Sequence, residues 1–380
     1  MNRLKHIVIL DPIPFAGGSK VSTKHILSQL ESQQVRISIL TSDPDTWAKT
    51  KAYVKPLHMP KPLEKTEQGL SYFARHFLIA LQLIWLRLFV GKMDTALAAS
   101  GPGVDLGLYI ARALLGYRIV QMVHGPVARS RTIGRCLLSA NEVYYLDSTR
   151  DSLNNAISAT GSGDDVSAYP QFQTFRNGLP KALWPSRCQY DYAVLFWAAS
   201  LLKWKGLDTL TKALSHMKPS DRPETHICFI RPKQTNLAVS DAPQSISKVF
   251  WHEAPDSLDA IRASSNIFVS TSTKEPFGLS ILEAMAAGMC VIIPSDGAYW
   301  DTQLSDGENC LKYMPDDAAD LARTLAKAQQ NMSMLKMLGD EAFQIARQYR
   351  AELCFSAVCE ALTQQGARGD AALARDEVQG

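Results

Sequence analysis

Short apolar runs alternate with helically spaced ones from the first residues of the chain. HIVIL (6–10) precedes a helical segment near 20–31, and VRISILT (35–41) follows it. This is the rhythm of a parallel, doubly wound sheet. TALAAS (95–100), YRIVQMVHG (117–125) and EVYYLD (142–147) are further strand candidates with helices between them. From 161 to 184 the periodicity lapses in a stretch dense in Gly, Pro and Asp, which reads as a linker. A second series then restarts the same grammar. Its strand candidates are YAVLFWAAS (192–200), HICFIRP (226–232), KVFWHEA (248–254), NIFVSTS (266–272) and MCVIIPSD (289–296), with helices over 207–217, 256–264 and 279–287.

The pattern predicts an α/β chain of two Rossmann-like domains, over 1–165 and 186–340, joined by a linker at 166–185. At 380 residues the chain exceeds what one core normally supports, so length agrees. A long helical stretch runs from Met332 to about Thr363, and the Gly/Ala/charge tail at 366–380 is expected to be disordered. Two facing doubly wound domains would place a ligand cleft at the carboxyl ends of their strands.

Composition adds a class and charge adds a direction. Hydrophobic residues make up 46% and charged ones 20%, which is ordinary for a globular protein. The seven cysteines form no CxxC pair and no Cys/His cluster, which predicts a reduced, cytoplasmic chain without a structural metal. The opening MNRLKHIVILDP has too short an apolar stretch for an export signal. Up to Pro185 there are 21 Lys and Arg against 13 Asp and Glu, and beyond it 19 against 24, so the halves stand near +8 and −5. An anionic partner is expected for the first half, and lipid head groups or a lipid-linked phosphate serve as well as nucleic acid would. FARHFLIALQLIWLRLFV (73–90) is too short and too interrupted for a comfortable span. It is either a buried core helix or one lying in the plane of a membrane surface.

The most informative stretch is 269–313, VSTSTKEPFGLSILEAMAAGMCVIIPSDGAYWDTQLSDGENCLKY. A strand ends, a polar loop carries Glu275, Pro276, Phe277 and Gly278, and a helix begins near Leu279. A helix N-terminus behind a glycine offers free N–H groups and a positive dipole end to a diphosphate. Glu275 precedes that helix and Glu283 lies about one turn inside it, where two carboxylates can accept hydrogen bonds from hydroxyls of one ligand.

This stretch resembles the E-x7-E region of glycosyltransferase family 4 and related retaining GT-B enzymes, with Glu275, Glu283, the AMAAG helix end and DGEN at 306–309. The resemblance implies two facing domains with a C-terminal crossover helix, here 341–365 returning to the first domain. It implies that Glu275 binds hydroxyls of the donor sugar and Glu283 the nucleotide ribose. The backbone of Phe277, Gly278 and Leu279 would hold the diphosphate. AASLLKWKGLDTLTKAL (198–214) resembles the family's diphosphate clamp, with Lys205 on the family lysine. Ser200 stands where the family usually has an arginine, and Lys203 or Arg231 is a candidate substitute. In the first half, PIPFAGGSKVSTKHIL resembles the family's glycine loop, with Gly17 and Gly18 allowing close approach to donor and acceptor. His124 at a strand end matches the histidine expected near the donor sugar, and Asn177 with Gly178 matches the linker's NG. Arg129, Arg131 and Arg135 form either a site for a lipid diphosphate or a solvated face.

The function implied is transfer of a hexose, with retention, from GDP-mannose or a UDP-sugar to a glycan or polyprenyl-diphosphate-linked acceptor in bacterial surface polysaccharide assembly. No metal or other cofactor and no nucleic acid are expected, and peripheral association with the cytoplasmic face of the inner membrane is. Two rivals are a non-catalytic GT-B subunit assisting a partner transferase and a nucleotide-sugar epimerase.

Overall fold

The computed structural model describes residues 3–14, 17–30, 35–64, 66, 68–163, 165–232, 235 and 237–364. The tail at 366–380, expected to be disordered, lies outside them.

The chain folds into two compact units. The first holds residues up to Phe175 together with those from Phe355 onward, and the second runs from Arg176 to Cys354. In the first unit seven strands form one sheet: β1 (Lys5–Asp11), β2 (Val35–Thr41), β3 (Tyr53–Pro56), β4 (Thr95–Ala98), β5 (Arg118–Val123), β6 (Glu142–Tyr145) and β7 (Phe172–Thr174). Their order is β3-β2-β1-β4-β5-β6-β7 and every pairing is parallel. Central strands covered on both faces read as unbroken apolar runs, as at Ile7, Val8, Ile9 and Leu10, all buried.

The segment read over 73–90 is a 22-residue helix, Gly69–Val90, with one buried and one open face. His76, Ile79, Ala80, Leu83, Leu86 and Val90 recur at helical spacing on a buried face. That face packs on the helix Leu106–Leu115. Gly107 makes the approach possible, because a Cβ there would stand 2.5 Å from Cγ2 of Ile79. The opposite face carries Phe73, Phe77, Leu81, Trp85 and Leu88 in the open.

In the second unit β8 (Val194–Ser200), β9 (Glu224–Ile230), β10 (Val249–Glu253), β11 (Ile267–Val269), β12 (Cys290–Pro294) and β13 (Leu311–Tyr313) make a parallel sheet in the order β10-β9-β8-β11-β12-β13. The strand order reverses between β8 and β11, and between β1 and β4 in the first unit. Ligands of open α/β sheets bind at the carboxyl edge of such reversals.

Three expectations are corrected. The linker placed at 166–185 contains β7, an edge strand of the first sheet, so that unit extends to Phe175. Its membership comes from backbone pairing, with Val143 N–H donating to Gln171 O at 2.8 Å and Phe175 N–H to Tyr145 O at 3.0 Å. The second domain does not end at 340, since the helix Met332–Ala346 belongs wholly to the second unit. The long terminal helix is three pieces, because the backbone near 350 bonds elsewhere. Leu179 N–H donates to Tyr349 O at 2.9 Å and Ala351 N–H donates to Leu179 O at 3.0 Å, which ends the helical ladder. Only Ser356–Thr363 joins the first unit, where Tyr144 donates its hydroxyl to Ala357 O at 3.1 Å.

Candidate active site

Just past the carboxyl ends of β8 and β11 the second unit brings two predicted residues into contact. Lys205 donates from Nζ to Oε2 of Glu275, and both side chains are largely buried, at 19% and 15% exposure. The lysine comes from a short turn after β8, and its ammonium stands 4.1 Å from the ring centroid of Trp204. That turn is fastened to the loop after β11. Thr271 donates its hydroxyl to Lys205 O at 2.9 Å and accepts the Trp197 indole N–H at 3.0 Å. Thr273 N–H donates to Trp204 O at 3.0 Å. Gly206 turns the chain at φ +74, where a Cβ would stand 2.0 Å from Thr271 O, so the close approach demands glycine.

The glutamate's loop is held from its other side. Lys274 adopts φ 51, its N–H donates to Oδ2 of Asp296 at 2.7 Å, and its ammonium reaches the Asp296 carbonyl. Phe277 is buried against Tyr299 at 4.8 Å and Trp300 at 5.3 Å between ring centroids, so only its backbone is available to a ligand. The Trp300 indole N–H donates to Gly278 O at 3.2 Å. Gly278, at φ 79, leads into the helix Leu279–Ala286, whose first N–H groups face outward along the helix axis at its start. An ammonium, a carboxylate and a positive helix end thus converge at the strand-order reversal.

Glu283 is not brought to that cluster as a free carboxylate. Its Oε2 accepts from Arg262 Nη2 at 2.5 Å, and Arg262, whose side chain is only 4% exposed, also donates to Asp259. Burial raises the Glu283 pKa, Arg262 opposes the rise and Asp259 adds to it. Arg262 was not singled out in the sequence, where nothing distinguishes it from a surface arginine late in a short helix. Ser200 closes β8, and Lys203 is exposed with Asp208 at 3.9 Å. Arg231 is engaged by Glu253 at 3.2 Å and by Ala242 O at 3.0 Å. Asn177 is buried, and a Cβ on Gly178 beside it would stand 2.9 Å from Cα of Ala351.

In the first unit Gly17 precedes the helix Gly18–Leu30, and its carbonyl accepts from Val21 N–H at 3.1 Å. His124 follows β5 with neither ring nitrogen hydrogen-bonded, its ring edge-on to Phe175 at 5.3 Å. Burial pushes its pKa down to about 4, so the ring is neutral at physiological pH. Arg129, Arg131 and Arg135 are exposed, with Arg131 donating to Ala159 O at 3.2 Å. Behind the glycine loop lies a buried group the sequence did not reveal. Lys20 donates to Ile13 O at 2.6 Å and pairs with Asp43 at 2.9 Å and Asp11 at 3.0 Å. Among the described residues no group of three or more His, Cys, Asp or Glu is placed to hold a metal ion.

The architecture, two parallel doubly wound sheets, is that of the GT-B glycosyltransferases. Residues 185–345, nearly the whole second unit, match the family described as glycosyl transferases group 1. No curated protein matches the chain in sequence. Among solved structures, the Anabaena protein HepE in complex with UDP and glucose is 16% identical, with 96% of this chain and 100% of that one covered at a TM-score of 0.71. Sucrose-phosphate synthase from Thermosynechococcus elongatus is 15% identical over 98% and 99% of the two chains, with a TM-score of 0.67. WaaG, a glycosyltransferase involved in lipopolysaccharide biosynthesis, is 13% identical over 94% and 100%, with a TM-score of 0.65. At these identities the likeness establishes the fold, and the chain is an enzyme of the transferase class.

Proposed function

We propose that the protein is a retaining hexosyltransferase of the family 4 kind. It takes GDP-mannose or a UDP-sugar as donor and a glycan or polyprenyl-diphosphate-linked acceptor, in assembly of a bacterial surface polysaccharide at the cytoplasmic face of the inner membrane. The observation that carries this is the Lys205–Glu275 pair beside the N-terminus of the helix Leu279–Ala286. The HepE complex with UDP and glucose supports a UDP-sugar, and WaaG supports the surface-polysaccharide setting.

Without ligand, the lysine charge is balanced by Glu275. An arriving diphosphate supplies a second anion, held by Lys205 and by the N–H groups of Gly278 and Leu279. Glu275 is thereby released to accept hydrogen bonds from sugar hydroxyls. As the bond from sugar to phosphate breaks, negative charge grows on the leaving oxygen, and Lys205 stabilises it. That oxygen takes the proton of the acceptor hydroxyl as the acceptor oxygen bonds to the anomeric carbon from the same face, which gives retention. His124, neutral, is assigned a hydrogen bond to the sugar, and Glu283, oriented by Arg262, a ribose hydroxyl. No metal or other cofactor enters this chemistry.

The test is thermal stability of the purified chain with GDP-mannose, UDP-glucose, UDP-galactose and UDP-N-acetylglucosamine, each beside its nucleoside diphosphate, in wild type and Glu275→Gln. A shift selective for one base, with the sugar's increment lost in the variant, is expected. No shift with any donor would sink the proposal, and donor binding without turnover on any acceptor would favour a subunit that assists a partner transferase.

A further inference from the structure

The helix Gly69–Val90 leaves a stripe of large apolar side chains uncovered in its own unit. Phe73 is 50% exposed, Phe77 56%, Leu81 45%, Trp85 49%, Leu88 76% and Phe89 61%. They recur every three or four residues, so they form one face, opposite the face packed on Leu106–Leu115. A monomer rarely leaves so long a contiguous apolar strip open without a use for it. Beside it a groove of about 800 Å³ runs between the helix and the segment at 58–60, lined by Pro60, Leu78, Leu81, Trp85 and Leu88. The helix is fixed to that segment, because Gln82 donates to His58 O at 2.8 Å and accepts His58 N–H at 2.9 Å. With its inner face packed and its flank tied, this helix does not leave the unit to cross a bilayer.

We infer that this outward face docks on an anionic lipid bilayer, with the helix lying flat in the head-group plane. The choice of occupant rests on charge. Between residues 49 and 92 the chain carries eight lysines and arginines against two glutamates. Exposed Lys61 lies in the short helix Lys61–Glu64 packed on this one, exposed Lys92 follows its last turn, and the Lys55 ammonium stands 4.9 Å from the Trp85 ring centroid. An apolar strip rimmed by cations matches anionic head groups above acyl chains. A second copy would bring the same positive rim against itself. The inference rests on the peripheral placement proposed above and names its surface and its lipid.

The test is flotation of the full chain with vesicles of phosphatidylcholine alone and of phosphatidylcholine with about one third phosphatidylglycerol. The variants are the double substitution Leu88→Glu with Phe89→Glu, and the rim pair Lys55→Glu with Lys61→Glu. Wild type is expected to float with the anionic vesicles at low salt, about tenfold more than with neutral ones, and each variant to lose about tenfold of that. Both variants should keep the wild-type melting midpoint and donor-induced shift. Wild type that stays at the bottom with anionic vesicles, or folded variants that float equally well, overturn the inference. So does a dimer in sedimentation velocity that the Leu88/Phe89 variant dissociates, which would give the face to a second copy. Flotation that persists while no donor shifts the melting point would instead count against the transferase reading alone.

Discussion

Each unit has a lysine in the segment after the first strand of its sheet, β1 or β8, and the two lysines have different environments. Lys20 is 4% exposed and spends its charge on Asp11, Asp43 and a backbone carbonyl. Lys205 is 19% exposed and faces one carboxylate and one aromatic ring. A buried ammonium with every direction filled has no affinity left to offer a ligand. One that is singly paired at an open strand edge can exchange its partner for a diphosphate. The same residue type after the corresponding strand is therefore saturated in one unit and left with capacity for a ligand in the other.

The sharpest way to break this contrast is to remove each lysine. Lys20→Met should cost about 3–5 kcal/mol of stability in denaturant unfolding, because Asp11 and Asp43 are left charged and unpaired. Lys205→Met should lower kcat by about 10²-fold or more, with under about 1 kcal/mol of stability lost. If Lys205→Met instead unfolds the chain while Lys20→Met kills turnover, the assignment is reversed. Next comes Arg262→Met, which frees a glutamate held in a buried pair. Donor KM should rise about tenfold with kcat nearly kept, and Arg262→Lys should recover part of the loss. The smallest effect at neutral pH belongs to His124. Its pKa of about 4 lies below the unfolded value near 6.5, so on acidification the unfolded chain takes the proton first. Stability should therefore fall as pH drops from about 6.5 to about 4, by about 1 kcal/mol per unit, and His124→Leu should remove that slope. His76, also brought down to about 4 by burial, supplies a second such slope that the variant leaves in place.

The central strands could be read from the chain because parallel strands buried on both faces are continuous apolar runs. The edges β3, β7 and β13 could not, since YVKP, FQT and LKY are short and half polar and owe their place to backbone pairing. The helix ending near 346 is shorter than its sequence pattern for a related reason. Its periodicity continues, and only the bridge between Leu179 and Arg350 stops it. In the site, Lys205 and Glu275 were both singled out, but their contact across 70 positions is a product of the strand order. The partner of Glu283 stayed hidden because Arg262 lies 21 residues earlier on another helix, and spacing says nothing about which way a carboxylate turns.

The path of the chain sets an order of completion. The second unit is contiguous from Arg176 to Cys354, whereas the first needs the helix Ser356–Thr363, which is synthesised after the whole of the second unit. On the ribosome the unit made first must wait with an open seam along β4 and the helix Gly18–Leu30, where that helix packs, while the unit made second can close at once. A stalled or truncated product ending near 354 would then carry a finished second unit and an unfinished first one. Such a product would be recognised by quality control through the first half of the chain.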